Sequence, residues 1–289
     1  MRRFRALARA AALEALAEPL SAILFLVALL AVHLLPVVHL HQFGEPGRLS
    51  RECGFSALLV FGLVFATSAA VHAVGRELES GTAAAALARP VPRPLFFCAK
   101  IVGVLAALAL FLLAVSGAML LSVVTSQMGR IVTQGDVLVW GPGVAAGVGG
   151  TLLAFALAAM GNAVLRTRFC VGACLLTALA QPAALAVVLF FNQSPVPWHL
   201  LPALGVLALG CASFVAMAGA FAVCLKPAAV AALMPVAVIL SFVGPLRAVL
   251  PDIHRFWLVD AFAGGCTPAG ADLCAAAGAG ALLARREIP

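Results

Sequence analysis

An all-α integral membrane protein, a polytopic helix bundle of about eight spans with both termini cytoplasmic, is the fold class this sequence predicts. Three observations carry it. Hydrophobic residues make up 64% of the 289 positions and charged residues only 10%, with a mean hydropathy of +1.14. A water-soluble domain carries roughly 25% charged residues, and a globule of this length could not hide so much apolar surface from water. A bilayer removes that requirement by replacing water as the solvent. Apolar runs of membrane length recur along the chain, and the charges fall between those runs and at the two ends.

The start, Met1-Arg2-Arg3-Phe4-Arg5 and on to Arg9, is basic. It is not read as a cleaved leader. The first apolar run begins only near Leu20 and lasts to about Leu40, too long for the apolar region of a signal peptide, and Pro36 and histidines stand where a small-residue cleavage site would be. Residues 1–19 therefore read as an interfacial amphipathic helix leading into the first span. About 20 apolar residues cross the hydrocarbon core. The runs that meet this length are 20–40, 55–75, 95–125, 141–165, 170–191, 200–224 and 228–249. An eighth, 261–284, holds Asp272 and is cleanly apolar only over Leu273–Ala284. Were 200–224 and 228–249 one broken hairpin, the number would be six, with the same sidedness; Lys226-Pro227 between them favours a true turn.

With eight spans, 13 of the 18 Lys and Arg residues fall on the side of the N-terminus and 5 on the other. The excess of cations in cytoplasmic loops then places both termini in the cytoplasm. This explains the formal charge of +7 as orientation. No Lys/Arg tract interleaved with aromatics suggests a nucleic-acid surface, so nucleic acid is not an expected partner and membrane lipid is. Trp140, Trp198 and Trp257 all fall near expected span ends, where indole rings favour the interface.

Candidate chemistry is sparse. Cys98, Cys170, Cys174, Cys211 and Cys224 lie in or beside apolar runs and read as small buried hydrophobes. Cys170 and Cys174 are four apart, but no His or carboxylate completes a metal set. Cys266 and Cys274 could meet outside the membrane. Gly147-Val148-Gly149-Gly150-Thr151 lacks the lysine of a phosphate-binding loop and reads as close helix packing. His33, His39 and His41 cluster near the outer end of the first span, with His254 expected on the same side. Four imidazoles could bind copper, but no Met or Cys completes a recognisable site, so interfacial histidines without metal are the reading. The expected sites therefore hold no catalytic residue, bound cofactor or metal. The spans hold almost no charged side chain, whereas an ion-coupled transporter usually keeps an intramembrane carboxylate.

One stretch stands apart, between the second and third spans: Arg76-Glu77-Leu78-Glu79-Ser80-Gly81-Thr82, four alanines, Leu87-Ala88, then Arg89-Pro90-Val91-Pro92-Arg93-Pro94. Glu77 and Glu79 suit the positive end of a short helix. Pro90, Pro92 and Pro94 end it, because proline donates no helix bond and restricts its predecessor. A short charged helix tied at each end to a span suits transmission of force from a cytoplasmic partner; a polar loop with orienting arginines is the plainer reading.

The stretch resembles the signature of ABC-2-type transporter permeases: Arg-Glu-x-Glu-x-Gly-Thr, then Leu, Arg-Pro-Val-x-Arg, and a Lys at the start of the third span. Those positions are Arg76, Glu77, Glu79, Gly81, Thr82, Leu87, Arg89, Pro90, Val91, Arg93 and Lys100, matched without gaps. Pro251–Trp257 with Asp260-Ala261-Phe262 is similar to the segment before the last span in one branch, and Arg285-Arg286-Glu287 to the usual end. The short last span departs from the pattern. The resemblance implies that residues 20–289 form the transmembrane domain and that 76–94 is its cytoplasmic coupling segment. It implies two permease subunits, a homo- or heterodimer, above two separate ATP-binding subunits that bind ATP and Mg and hydrolyse the nucleotide. The chain itself is then not an enzyme, and its partner-coupling residues are Arg76, Glu77, Glu79, Gly81, Thr82, Arg89, Pro90 and Arg93. Export across a bacterial inner (plasma) membrane is the expected activity. The rival classes are an ATP-independent secondary transporter or channel, and a membrane assembly factor of the copper-enzyme-maturation type.

The charge asymmetry sets a test of sidedness. In a cysteine-free background in intact cells, a single cysteine at position 46 should react with an impermeant maleimide and one at position 80 should be shielded; the reverse labelling would overturn the topology.

Overall fold

The computed structural model describes residues 2–38, 48–75, 93–127, 130–132, 136–138, 141–192, 197–225, 229, 230 and 233. They are almost wholly helical. The order is α1 (Arg2–Ala17), α2 (Pro19–Val38), α3 (Arg48–Ala70, wound into a wider π turn over Val71–Gly75), α4 (Arg93–Gln127), β1 (Arg130–Val132), β2 (Asp136–Leu138), α5 (Gly141–Leu165), α6 (Phe169–Asn192), a 3-10 turn (Trp198–Leu200) and α7 (Leu201–Cys224). Five helices are long and apolar enough to cross a membrane, or six if the bent pair of α1 and α2 is one span. Helix is the form such segments must take, because lipid offers no partner to a backbone N–H or C=O. The chain is thus a membrane protein built of apolar helices. The expected spans 228–249 and 261–284 lie outside the described residues, apart from residues 229, 230 and 233.

The boundaries have local causes. Glu18 separates α1 from α2, and the axis bends by 65° there. Ser21 fastens the joint: its Oγ donates to the Ala15 carbonyl at 2.6 Å and its N–H to the Glu18 carbonyl at 3.0 Å. The Ala15 carbonyl belongs to the last turn of α1, which has no intrahelical donor left for it, and the Glu18 carbonyl to the linking residue. Helix α3 starts seven residues before the expected apolar run, where Arg48 and Glu52 pair across one turn at 2.9 Å, a spacing at which oppositely charged side chains meet. Helix α4 has 35 residues, about 52 Å at 1.5 Å per residue, well beyond the roughly 30 Å hydrocarbon core. Only residues 166–168 separate α5 from α6, and Arg166 takes the left-handed conformation at φ 51°, the geometry that commonly ends a helix.

One element departs from the all-α expectation. Between α4 and α5, β1 and β2 pair antiparallel with Ile131 opposite Val137.

The chain divides into two compact units. In the larger, residues 12–65 and 105–212, three fully buried phenylalanines join three helices. Phe65 of α3 stacks on Phe111 of α4 at 5.1 Å, and Phe25 of α2 meets Phe111 edge-on at 5.1 Å and Phe65 at 6.1 Å. Offset and edge-on pairs are the favoured aromatic arrangements. Gly54 of α3 leaves room for Met119, Gly62 for Cys211, and Gly172 of α6 lies against Ala158 of α5. Small residues bring the backbones close, which is how helices associate when lipid is as apolar as they are. On α2 the outward positions Leu20, Ile23, Val27 and Leu34 form an exposed apolar stripe. In the smaller unit, Gly219 of α7 lies against Ile101 and Phe97 of α4, and a Cβ there would collide with Ile101.

In lipid the transfer part of a core truncation is small and the cavity part persists. Phe111→Ala should therefore cost about 2 kcal/mol, the cavity term for on the order of 100 Å³, read from the unfolding midpoint of the purified protein in detergent. An unchanged midpoint would show that the three rings do not hold α2, α3 and α4 together.

Candidate functional site

The coupling segment 76–92, with Arg76, Glu77, Glu79, Gly81, Thr82, Arg89 and Pro90, lies outside the described residues. Arg93 opens α4. Lys100, the last position of the signature, is buried at 4% exposure two turns further on.

The polar side chains that the structure brings together lie deep inside the larger unit, where α2, α5 and α6 meet. Gln181 of α6, His33 of α2 and Thr151 of α5 are all buried. Gln181 Nε2 donates to the Gly147 carbonyl at 3.1 Å and to Thr151 Oγ1 at 2.8 Å; Thr151 in turn donates to the same carbonyl at 2.9 Å. The other end of the amide meets His33 Nε2 at 3.0 Å. The roles follow from the chemistry. A carbonyl only accepts, so the amide nitrogen must face Gly147, its oxygen faces His33, and the proton of the imidazole is on Nε2.

The surrounding backbone is shaped to this amide. A Cβ on Gly147 would fall on the His33 ring. Gly117 of α4 lies against the residues on which the amide is mounted: a Cβ there would come within 3.1 Å of the Pro182 nitrogen and 3.3 Å of the Gln181 carbonyl carbon. Pro182 lies inside α6 and has no N–H to return to the carbonyl four residues back. Ser122 of α4 donates to the Val32 carbonyl of α2 at 3.3 Å, beside His33. Four helices thus converge on one polar level, 12 residues into α6.

Of the clustered histidines, His33 is buried and bonded to Gln181, while His39, His41 and His254 lie outside the described residues. The glycine run is only partly a packing surface, since Gly147 is enclosed but Gly149 and Gly150 have open space where a Cβ would stand. Among the cysteines, Cys174 and Cys211 are buried as expected, Cys170 is half-buried and Cys98 is exposed. No group of three or more His, Cys, Asp or Glu side chains that could hold a metal occurs among the described residues. Among the described residues, the bonds at the node are hydrogen bonds that join α2, α5 and α6. Hydropathy did not mark Gln181; the signal was available as an amide inside an apolar span directly before a proline.

Compared with protein-family models, curated proteins and solved structures, the chain matches none.

The node makes a measurable claim. A double-mutant cycle between His33→Ala and Gln181→Leu should give a coupling of about 0.6 kcal/mol, up to about 1.7, the span found for hydrogen bonds between membrane helices. Gly147→Ala should destabilise the protein although it removes no polar atom. Additive effects together with a silent Gly147→Ala would dissolve the node.

Proposed function

We propose that the chain is the membrane-spanning permease subunit of an ABC transporter of the ABC-2 type. It exports its substrate across a bacterial inner membrane on ATP hydrolysed by a separate subunit. On this reading it has eight spans, both termini in the cytoplasm, a second permease subunit as partner, and ATP and Mg bound only by the ATPase. The observation that carries it is the ungapped signature from Arg76 to Lys100. The places where the flanking helices stop and start support the reading: α3 and its π turn end at Gly75, immediately before Arg76, and α4 begins at Arg93. The connecting segment is thereby tied to a span-length helix on either side, the mechanical arrangement a coupling element needs.

The neutral interior also supports it. Among the described residues of the larger unit, the buried polar side chains are hydroxyls, one imidazole and one amide, with no carboxylate among them. That gives little to an ion-driven carrier, which uses intramembrane acids. The commitment of His33 to Gln181 weakens the copper-maturation alternative, because it takes one imidazole out of the interfacial set.

The purified chain alone should not hydrolyse ATP, and it should co-purify with an ATP-binding subunit when the two are produced together. Replacing Glu77 and Glu79 together with Ala should leave abundance in the membrane unchanged. It should weaken ATPase association by about 2–5 kcal/mol if these carboxylates are desolvated in the docked complex. Gly81→Trp should act in the same direction by blocking close approach of the backbone. Normal complex yield and normal ATPase rates in both variants would leave residues 76–93 as an ordinary polar loop.

A further inference from the structure

We propose that α1 is a docking surface for anionic lipid headgroups, with Arg5 and Arg9 as the residues that engage them. Both arginines are exposed, one helical turn apart on the same face, and neither pairs with a carboxylate among the described residues. Arg2 shares their register by spacing, three residues before Arg5. The burial of α1 lies toward its C-terminal end, where Ala11, Ala15 and Leu16 are buried, Leu16 in the register of Arg9 two turns on, so the exposed arginines belong to the N-terminal half of the helix.

The direction of α1 places these cations. The 65° bend at Glu18 turns α1 away from α2. If α2 crosses the bilayer, α1 lies closer to the membrane plane than to its normal. Ser21 spans the bend through one hydrogen bond to Ala15 in the last turn of α1 and one to the linking Glu18. Past the bend α2 turns Leu20, Ile23 and Val27 outward, so lipid reaches up to the joint itself. A helix at headgroup level, whose exposed Arg5 and Arg9 pair with no carboxylate among the described residues, is complementary to phosphate esters that carry net negative charge. Guanidinium binds phosphate through paired donors, and each basic residue near an anionic surface adds about fivefold to the affinity.

The test uses the full chain, purified and returned to symmetric vesicles that mix phosphatidylglycerol and phosphatidylcholine. It needs neither the ATPase nor a known orientation, so its failure and that of the permease reading are distinguishable. Mass analysis of the lipid that co-purifies from these vesicles should show phosphatidylglycerol enriched over its share. The enrichment should fall toward parity in Arg5→Gln/Arg9→Gln, persist in Arg5→Lys/Arg9→Lys, and shrink when wild-type protein is handled in 0.5 M salt, as screened surface charges require. Should the double Gln variant fail to fold, the single Arg9→Gln variant and the wild-type salt response decide. The proposal is overturned if enrichment in the folded Gln variant equals that of wild type, if the enrichment ignores salt, or if inorganic phosphate alone displaces phosphatidylglycerol from the protein.

Discussion

Lipid offers a buried amide nothing to bond to, and that constraint organises the middle of the larger unit around Gln181. All of its partners must come from the protein, so α5 brings a hydroxyl and a carbonyl and α2 brings an imidazole to one level. Gly147 serves this arrangement twice. Its carbonyl accepts from both Gln181 and Thr151, and its bare Cα leaves the space in which the His33 ring lies. On the far side Gly117 lets α4 approach the backbone of Gln181 and Pro182. The apolar contacts of the unit, such as the Phe25, Phe65 and Phe111 cluster, supply area and shape. An amide with three directed bonds also selects register, because sliding any of its helices by one turn would leave a polar group stranded in hydrocarbon at a cost of several kcal/mol.

The helical segments were legible from hydropathy because each apolar run is long and bounded by charge, proline or glycine. Runs expected at 20–40 and 170–191 became Pro19–Val38 and Phe169–Asn192. Boundaries moved where local polar pairing extends a helix past its apolar part, as the ion pair of Arg48 and Glu52 does for α3. The node was not legible. Hydropathy averages over every face of a helix and so cannot show which way His33 points. Its partner lies 148 residues away, a separation that no local pattern encodes. Gly147 was singled out together with Gly149 and Gly150, yet only Gly147 is enclosed, since successive positions on a helix face different neighbours. The hairpin of β1 and β2 escaped for a simpler reason: its strands are three residues each, too short for alternation to register. The coupling segment is legible only as a motif and owes nothing to the described geometry.

Among the described residues, the bonded node of His33, Thr151 and Gln181 is neutral, whereas Arg5, Arg9, Arg166 and Arg168 are exposed and the ion pair of Arg48 and Glu52 stands open to solvent. A neutral, mutually bonded node of this kind can fix helix positions, because Gln181 finds its partners on two other helices.

The length of α4 bears on the permease reading. About 52 Å of helix against a hydrocarbon core of roughly 30 Å leaves about 20 Å outside it, less whatever tilt absorbs. Lys100 sits seven residues, about 10 Å, past the start of the helix. The simplest placement for a charged residue there is at or outside the membrane boundary, with the helix running on through it into the apolar stretch. On the permease reading, the segment that meets the ATPase directly precedes the third span in sequence, whose helix begins at Arg93. Further along the same helix, past Phe111, Gly117 lies against the mounting of Gln181, so α4 both follows the coupling segment in sequence and borders the polar level on which α2, α5 and α6 converge.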